Sequence, residues 1–396
     1  MRLAVVSDLH CHSRIKDQSP DTFLLSDLSW EPKRDNPVAS LIDLLKLERI
    51  KADVLLVPGD LTNKIERQGL VSGWEHVGTI AQSLGNPLIA CTVGNHDVDS
   101  TNIHKKGPFD LPQRLHPDYP VRSEKAKKDF WQDGFCFIEK KHLRILIVNT
   151  VKHHHSEPQA KRGEIDDAQL EMLEERLNKL KTKPKKPFQI ALLHHHPMLH
   201  SDNNLGTADV LERGDVLLDL LDRFGYQLVV HGHKHFPKLR YGHGGASPPL
   251  VFAAGSLSAV KGEMLSNTRN LFHVIEITDD TIEYCWYPGI IRSWEFNKGH
   301  GWNSPNRRSA SFPSISGFGY RGNYRDLASS TAAVLKTKKV PIDWADLVAV
   351  LPQLSYLVPH EFEEFGNYLK TQFSMKLSPE PPDVPQFVGY MNKGSR

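Results

Sequence analysis

Residues 87–97 read PLIACTVGNHD, an apolar run that turns at Gly94 into three polar residues. The apolar part has the length and composition of a buried β-strand, and glycine is common where a strand ends in a turn. Asn95, His96 and Asp97 are therefore expected at a strand's carboxyl end, where α/β proteins build ligand sites. Taken alone, the four residues from the glycine onward fit a simple tight turn equally well.

Each of these three polar side chains suits a different chemical task. The amide oxygen of Asn95 can bind a hard or borderline cation, and the imidazole of His96 can donate a proton near neutral pH. The carboxylate of Asp97 can hold that imidazole in one tautomer. The stretch thus predicts a metal ligand beside an acid–base pair.

Two earlier apolar runs end in the same way. Residues 3–6 precede the sequence Ser-Asp-Leu-His, and residues 52–57 precede a turn that contains Asp60. Because alternate residues of an extended chain share a face, we expect Asp8 and His10 to point at one cation. Helical spacing between these runs predicts a repeated strand, helix, strand order.

Histidines follow a fourth run, residues 188–193. Three consecutive side chains cannot all face one point from an extended chain. We therefore expect His195 to face the site, with His194 and His196 pointing away from it. The separate run of histidines at 153–155 lies in a polar, lysine-containing stretch and is predicted to be a solvated loop.

A fifth run, residues 228–230, precedes the sequence His-Gly-His-Lys-His, in which His233 and His235 are alternate residues. Together the strand ends offer two carboxylates, one amide and four imidazoles. This set of donors suits a pair of borderline divalent ions better than it suits Mg or Ca. Mn is the first choice, and Fe, Zn, Ni or Co are alternatives. The candidate metal ligands are Asp8, His10, Asp60, Asn95, His195, His233 and His235.

The composition narrows the functional classes. The 49 Lys and Arg against 47 Asp and Glu leave a net charge of +2, so no overall field favours nucleic acid or an anionic membrane. The four cysteines are far apart in the sequence, which argues against a disulfide framework and a thiolate zinc site. No apolar stretch nears the ~20 residues that span a bilayer, and no signal peptide is evident. We expect a cytoplasmic protein.

Five short motifs, in this order along residues 1 to 290, resemble those of the calcineurin-like metallophosphoesterases. The resemblance implies a four-layer αββα sandwich, in which two mixed sheets are flanked by helices and a dimetal site lies on one edge. The motifs are Asp8-x-His10, Gly59-Asp60, Gly94-Asn95-His96-Asp97, His195-His196-Pro197 and Gly232-His233-x-His235.

The resemblance also implies a role for each site residue. His96 would protonate the leaving oxygen or stabilise the phosphoryl charge, and Asp97 would orient it. The predicted substrate is a nucleotide or other phosphodiester, attacked by a hydroxide that bridges the ions. Carried over to this sequence, Asp8, His10 and His235 would hold one ion, Asn95, His195 and His233 the other, and Asp60 would bridge them.

The sequence departs from the motifs of particular branches of this family, which narrows the choice of predicted substrate. Asn63 stands where purple acid phosphatases have a metal-binding tyrosine, and the turn at Asp60 lacks the arginine-glycine of protein serine/threonine phosphatases. The motifs look most like those of bacterial cyclic-nucleotide-phosphodiesterase-type members. Two alternatives stay open: a metal-dependent DNA or RNA nuclease of the SbcD-like type, and a catalytically inactive scaffold with the same fold.

Beyond residue 290 the pattern changes, and we predict a mostly helical or irregular accessory region over 291–396. Residues 343–373 have helical spacing, and 378–385 are predicted to be an extended arm. Between 286 and 339, nine basic residues interleave with aromatic ones, a composition suited to nucleic acid or a nucleotide, or to a solvated surface. The basic residues are Arg292, Lys298, Arg307, Arg308, Arg321, Arg325, Lys336, Lys338 and Lys339.

Overall fold

The structure is a computed structural model of the 396-residue chain. The residues that it describes are 1–13, 22–26, 33–103, 105–140, 142–156, 159–160, 162–180, 187–199, 209–260, 268–305, 312–338 and 341–391.

The chain divides into two compact units. The larger unit contains Arg2–His273 and Trp294–Asn303, and the smaller unit contains Met1, Val274–Ser293 and Ser304–Arg396. The predicted domain boundary at residue 290 lies within one long strand, so the division into 1–290 and 291–396 stays a prediction.

The first sheet has seven strands and contains the amino-terminal strand. Its order is β12-β11-β10-β1-β2-β3, with β13 paired to β11, and β1, β2 and β3 are parallel. Every residue of β2 is buried, which explains its unbroken apolar sequence. The strands are β1 (Arg2–Val5), β2 (Val54–Val57), β3 (Leu88–Cys91), β10 (Asn270–Ile277), β11 (Cys285–Asn297), β12 (Gly301–Asn303) and β13 (Ile315–Tyr320).

The second sheet has six strands in the order β4-β5-β6-β7-β9-β8. Its four inner strands are parallel, and an antiparallel strand lies at each edge, so the sheet is mixed. The strands are β4 (Phe135–Lys140), β5 (Leu143–Val148), β6 (Phe188–Leu192), β7 (Leu228–His231), β8 (Lys238–Tyr241) and β9 (Leu250–Ala253).

Helices connect the strands of the larger unit. The first helix begins where the sequence predicts, because Pro37 occupies its first turn and the side chain of Asn36 accepts the amides of Val38 and Ala39. The helices are α1 (Pro37–Leu47), α2 (Arg67–Ser83), α3 (Asp110–Gln113), α4 (Glu124–Asp133), α5 (Asp167–Lys179) and α6 (Gly214–Arg223).

The core is layered as the resemblance implies. Leucines of α5 and α6, such as Leu173 and Leu221, form one apolar cluster with Ala191 and Leu193 of the chain around β6. On the other side of this sheet, the hydroxyl of Thr92 donates to the carbonyl of Val148 at 2.7 Å and joins the two sheets. The fold is a four-layer sandwich of two mixed sheets with flanking helices. No described helix is long and apolar enough to cross a membrane.

Two strand assignments are wrong. The sequence pattern places strands near 249–254, 271–277 and 281–287 in the second sheet. In the structure β9 belongs to the second sheet, but β10 and β11 belong to the first sheet. The reason is that an apolar run predicts a strand without predicting its partner, and β10 pairs across more than 250 residues with β1.

The smaller unit has its own core and a compact arrangement of three helices and a hairpin. The predicted helix over 343–373 is three shorter helices, because Pro352 and Pro359 each begin a new one. The predicted extended arm instead joins the two strands of the hairpin. The elements are α7 (Tyr324–Thr337), β14 (Ile342–Asp343), α8 (Trp344–Val350), a 3-10 helix (Pro352–Tyr356), α9 (Pro359–Phe373), β15 (Met375–Ser378) and β16 (Phe387–Tyr390).

These elements share one apolar cluster, to which Leu335, Trp344, Phe365, Leu377 and Val388 contribute. The small sheet has the order β14-β16-β15, so the strand before α8 pairs with the last strand of the hairpin. The smaller unit therefore has a hydrophobic core of its own, as a domain does.

Candidate metal centre

The candidate site lies at the carboxyl ends of five strands in the larger unit. Strands β1, β2 and β3 are parallel neighbours in the first sheet, and β6 and β7 are parallel neighbours in the second. The chain segments that follow them bring together Asp8, His10, Asp60, Asn95, His96, His194, His195, His233 and His235.

The backbone of these segments is not extended as the sequence analysis expects. Asp8 and His10 have φ angles of 52° and 46°, and His233 and His235 have 77° and 53°. Each pair of side chains converges because both members adopt the left-handed conformation, not because they alternate along a strand. Asp60 shares this conformation, with a φ of 53°. Such backbone strain in non-glycine residues is concentrated at functional sites.

A first group of donors consists of Asp8, His10 and His235. The Nε2 atoms of the two imidazoles lie 2.8 Å apart, and Oδ1 of Asp8 is 3.4 Å from Nε2 of His235. The backbone fits closely around the carboxylate, since a Cβ added to Gly232 would lie 2.2 Å from Oδ2 of Asp8. All three side chains are buried, so their donor atoms face one enclosed point.

Asp60 links this group to the rest of the site. Its Oδ1 accepts the backbone amide of His96 at 2.8 Å, and its Oδ2 lies 3.8 Å from Nε2 of His10 and 3.3 Å from Nε2 of His194. A Cβ on Gly94 would lie 2.1 Å from Oδ1, so only glycine fits there. The carboxylate therefore has one oxygen held by the backbone and one that faces two imidazoles.

The electrostatics of Asp60 and His194 are those of a buried ion pair. Burial raises the pKa of Asp60, but the positive charges of His194 and His96 outweigh it and hold the pKa well below its usual range. Burial lowers the pKa of His194, and the Asp60 carboxylate more than reverses this, raising it to about 9. A negative charge at Asp60 is thus stable in the buried site.

The structure corrects the expected direction of His194. The sequence analysis expects this side chain to point away, yet its Nε2 is 3.0 Å from Oδ1 of Asn95 and faces Asp60. Ala191 and Leu193 pack in the core beside α5 and α6, so residues 190, 192 and 194 face the opposite side, toward the first sheet. The sequence does not reveal this direction, because β6 is buried on both faces and its apolar pattern does not distinguish them.

A second group of donors surrounds Asn95. Its Oδ1 lies 3.0 Å from Nε2 of His194 and 3.0 Å from Nδ1 of His233. The other ring nitrogen of His233 is 3.3 Å from Oδ2 of Asp209, a carboxylate that the sequence analysis did not single out. His233 therefore has Nδ1 directed into the site and Nε2 near the Asp209 carboxylate, with no hydrogen bond from Nε2 to a described residue.

His195 also reaches this group. Its ring centroid lies 4.4 Å from that of His233, and its Nδ1 is 2.8 Å from the hydroxyl oxygen of Thr150. Its Nε2 is buried and has no hydrogen-bond partner among the described residues. A Cβ on Gly163 would lie 2.5 Å from the ring, so the segment after β5 fixes the imidazole tightly. The assignment of His195 as a ligand stays a prediction.

The histidine run at 153–155 is only partly a solvated loop. His155 is exposed, but His154 is buried, with its Nε2 2.7 Å from the carbonyl oxygen of Arg162. Burial lowers the pKa of His154 to about 4. Its ring centroid lies 5.7 Å from that of His195, so it packs behind the site as a neutral side chain.

His96 and Asp97 do not form the predicted pair. The backbone amide of Lys64 donates to Nδ1 of His96 at 3.1 Å, while the carboxylate of Asp97 accepts the amides of Leu61, Thr62 and Gly94 at 2.8–3.1 Å. Asp97 therefore braces the two turns and does not orient His96. Burial, helped by the nearby Asp60 carboxylate and opposed by these amides, raises the pKa of Asp97 to about 7.

The donors that converge here fit divalent metal ions. Burial, with smaller contributions from neighbouring imidazoles, lowers the pKa values of His10, His195 and His233 well below the usual range, which favours the neutral form that binds metal. The unpartnered Nε2 of His195 is a buried atom that a cation would satisfy. Within each of four groups the donor atoms lie within 4.8 Å of one another: His194, His195 and His233; Asp8, His10 and His235; His10, Asp60 and His96; and Asp8, Asp60 and His194.

A family model described as calcineurin-like phosphoesterase matches residues 1–237, more than half of the chain. The chain belongs to the calcineurin-like phosphoesterase family. Members are typically dependent on two metal ions, which agrees with the paired donor groups. Membership of this family also supports the assignment of the chain as a phosphoric ester hydrolase.

Individual relatives of this calcineurin-like phosphoesterase are distant. A protein of Psychrobacter arcticus described as a probable cyclic nucleotide phosphodiesterase is 25% identical over 246 residues, which is 60% of this chain and 75% of that protein. A purple acid phosphatase from yellow lupin seeds has a TM-score of 0.47 at 14% identity, over 76% of this chain and 52% of the lupin chain, so only about half of that enzyme is spanned. The phosphopantetheinyl hydrolase of Mycobacterium tuberculosis has a TM-score of 0.34 at 12% identity, covering 64% and 89% of the two chains.

A second family model, described as wHTH-Calcineurin_assc, matches residues 316–371 of this calcineurin-like phosphoesterase. The matched residues run from β13 to α9, and the hairpin of β15 and β16 follows them. A helix, a short strand, two further helices and a two-stranded wing constitute a winged helix-turn-helix, the arrangement that the smaller unit shows.

Proposed function

We propose that this chain is a dimetal phosphodiesterase that acts on a nucleotide-type substrate. The observation that carries the proposal is the convergence of buried oxygen and nitrogen donors on both sides of Asp60. One ion would be held by Asp8, His10 and His235, and the other by Asn95 and His233 with His194, His195 or both. Asp60 would contact the two ions, with Mn as the first choice of metal.

When bound, two divalent ions neutralise charge on phosphoryl oxygens and lower the pKa of a water molecule toward neutrality. The protein's own part is to hold the donors rigidly and to exclude bulk water. Burial of Asp8, Asp60 and His10 serves both purposes. Asp97 adds rigidity, because its carboxylate ties the turn after β2 to the turn after β3 through three amide hydrogen bonds.

His96 is proposed to donate the proton that the leaving oxygen needs. A backbone amide can only donate, so the contact from Lys64 requires Nδ1 of His96 to accept. The ring hydrogen of the neutral imidazole is then on Nε2. To act as a general acid, His96 must take up a second proton on Nδ1, so that Nε2 donates from the imidazolium and leaves a neutral imidazole. His96 is half-buried, whereas Asp8, His10 and Asp60 are buried, so its ring is more accessible to substrate than these three side chains. A general acid of this kind contributes about 10²–10⁴ in rate.

A phosphodiester is preferred over a monoester as substrate. The relative from Psychrobacter arcticus is described as a probable cyclic nucleotide phosphodiesterase, and this similarity is what favours a diester. The test is hydrolysis of bis-p-nitrophenyl phosphate by the Mn-loaded full-length protein. The proposal expects turnover that Asp60→Asn abolishes, with about two Mn ions per chain in the wild type.

The inactive scaffold is the outcome that this experiment would reveal. A protein that binds less than about one Mn per chain after loading, and hydrolyses neither bis-p-nitrophenyl phosphate nor p-nitrophenyl phosphate, would be a scaffold. The filled set of donor positions argues against that outcome, because a scaffold has no need for buried carboxylates and imidazoles in contact.

Nucleic acid is the second candidate substrate, and the match to a winged helix-turn-helix favours it. Two observations oppose it: the burial of aromatic side chains and the charge of α9. Of the aromatic residues predicted to stack on bases, Trp294, Trp302, Phe312, Phe318 and Tyr320 are buried. The basic residues Arg307, Arg308 and Lys339 lie outside the described residues, so their placement carries no argument.

The charge of α9 is the other opposing observation. This helix would be the groove-reading helix of a winged helix, yet it carries Glu361, Glu363 and Glu364 against Lys370. An acidic helix repels phosphates. Salt-dependent binding of the full chain to a 20-residue single-stranded DNA would support the nuclease alternative, and the absence of binding at low salt would remove it.

A further inference from the structure

The larger unit has a cavity of about 390 Å³ between the first turns of α2 and the segment around α3. No role in the metal centre involves it. Arg67, Leu70, Lys106, Asp110, Arg114 and Leu115 contribute to its lining. The volume lies in the range of small-molecule sites in proteins.

The cavity combines an apolar floor with a cationic rim. Leu70 and Leu115 are buried, while Arg67 and Lys106 are exposed. Neither cation has an ion pair or a side-chain hydrogen bond to another described residue. The carboxylate of Asp110, in contrast, already pairs with Nη2 of Arg114 at 2.6 Å. The lining therefore has unneutralised positive charge beside an apolar surface, which suits an anionic group attached to an aromatic or sugar body.

Both walls of the cavity are tethered close to His96. Lys64, whose amide contacts Nδ1 of His96, is three residues before Arg67, so the two Cα atoms are at most about 11 Å apart. On the other wall, the amide of Asp99 donates to the carbonyl of Pro108 at 3.0 Å. The cavity thus begins within a few residues of the group proposed to protonate the leaving oxygen.

We propose that this cavity, the distal anion pocket, binds a second phosphate of the substrate, separate from the phosphodiester at the metal centre. The inference rests on the proposed phosphodiesterase function and names the substrate class: a linear dinucleotide with a further phosphate. A 3′,5′-cyclic mononucleotide has a single phosphate and would leave Arg67 and Lys106 without a partner.

Three dithymidylates with the same scissile bond test the pocket: TpT, pTpT with a 5′-phosphate, and TpTp with a 3′-phosphate. We expect the Mn-loaded full-length protein to have a kcat/KM at least about tenfold higher for pTpT or TpTp than for TpT, as a charge-assisted contact would give. In an Arg67→Glu, Lys106→Glu variant that ratio should fall toward one. Lys179→Glu, a single charge reversal on α5 outside the cavity, should leave it at the wild-type value.

A binding measurement separates failure of the pocket from failure of the proposed function. Thymidine 3′,5′-bisphosphate contains no diester, and calorimetry gives its affinity for Mn-loaded wild type and for the double variant. An affinity at least about tenfold lower in the variant supports the pocket even if no dithymidylate is hydrolysed. Equal affinities, or hydrolysis of all three dithymidylates at similar rates, would overturn the inference and leave the phosphodiesterase intact.

Discussion

Nε2 of His194 lies 3.3 Å from Oδ2 of Asp60, and the same nitrogen lies 3.0 Å from Oδ1 of Asn95. One imidazole therefore faces both the carboxylate proposed to bridge two ions and the amide proposed to hold the second. The neighbouring His195 reaches the same group from another side through its unpartnered Nε2. Two consecutive histidines thus reach the same group of donors, and both are candidates for the second ion.

His194→Gln and His195→Gln form a matched pair of variants that shows whether one or both of these residues hold the second ion. From the contacts with Asp60 and Asn95, we expect His194→Gln to lose one of two Mn ions and at least about a hundredfold in kcat, since the metal centre is incomplete without it. Metal content by mass spectrometry and turnover of bis-p-nitrophenyl phosphate measure both effects. Two retained ions in His194→Gln would contradict the assignment of this residue to the second ion.

Thr150 is expected to position His195. Thr150→Val keeps the shape of the side chain but removes the hydroxyl 2.8 Å from Nδ1 of His195. Loss of such a supporting hydrogen bond typically costs about 10–100-fold in metal affinity. Titration of the metal-free variant with Mn should show this weakening, and Thr150→Ser should restore the affinity. Unchanged Mn affinity in Thr150→Val would show that His195 is not held for metal binding.

The role of His96 predicts a dependence on the leaving group. His96→Asn should lower kcat by about 10²–10⁴ for TpT, whose leaving alkoxide needs a proton. The loss should be much smaller for bis-p-nitrophenyl phosphate, because nitrophenolate leaves readily as an anion. Steady-state kinetics on the two substrates provide the comparison. Equal losses on both would assign His96 to charge stabilisation instead of proton donation.

In the smaller unit, the buried carboxyl of Glu361 should make the free energy of unfolding depend on pH. Burial raises its pKa from the usual 4.5 to about 7, and its Oε2 is buried without a hydrogen-bond partner among the described residues. The folded state therefore binds the proton more tightly than the unfolded state. Stability contributed by this group is full below about pH 4.5 and is lost as the pH rises through 7.

Glu361→Gln removes the charge and should raise the melting temperature of the smaller unit at pH 8 while leaving it unchanged at pH 4.5. The effect on the free energy of unfolding is at most about 3 kcal/mol, at about 1.4 kcal/mol for each pKa unit. Glu363→Gln, an exposed position on the same helix, is the control and should have no effect at either pH. Thermal melts that respond identically in the two variants would refute a buried, protonated Glu361.

Much of the fold could be predicted because its strands are short, apolar and buried. The strands that end before Asp8, Asp60, Asn95 and His233 are all found where the sequence indicates them. Their polar residues meet because parallel strands end at a common edge. Strand partners could not be predicted in the same way, and β10 and β11 joined the first sheet through pairing across a long sequence separation.

The site was harder to predict where side-chain direction decides the outcome. Asp8 and His10 converge through left-handed backbone conformations that no periodicity reports. His194 was misplaced because all residues of β6 are buried, which hides the face that each occupies. The partner of His96 is the backbone amide of Lys64, and no side-chain pattern could reveal it.

The measurement that tests the central claim most directly is anomalous scattering from a crystal of the full-length protein soaked in manganese. The account predicts two manganese peaks about 3.5–4 Å apart. Asp60 should contact both, with Asp8, His10 and His235 on one side and Asn95 and His233 on the other. A single peak remote from Asp60, or no peak among these residues, would contradict it.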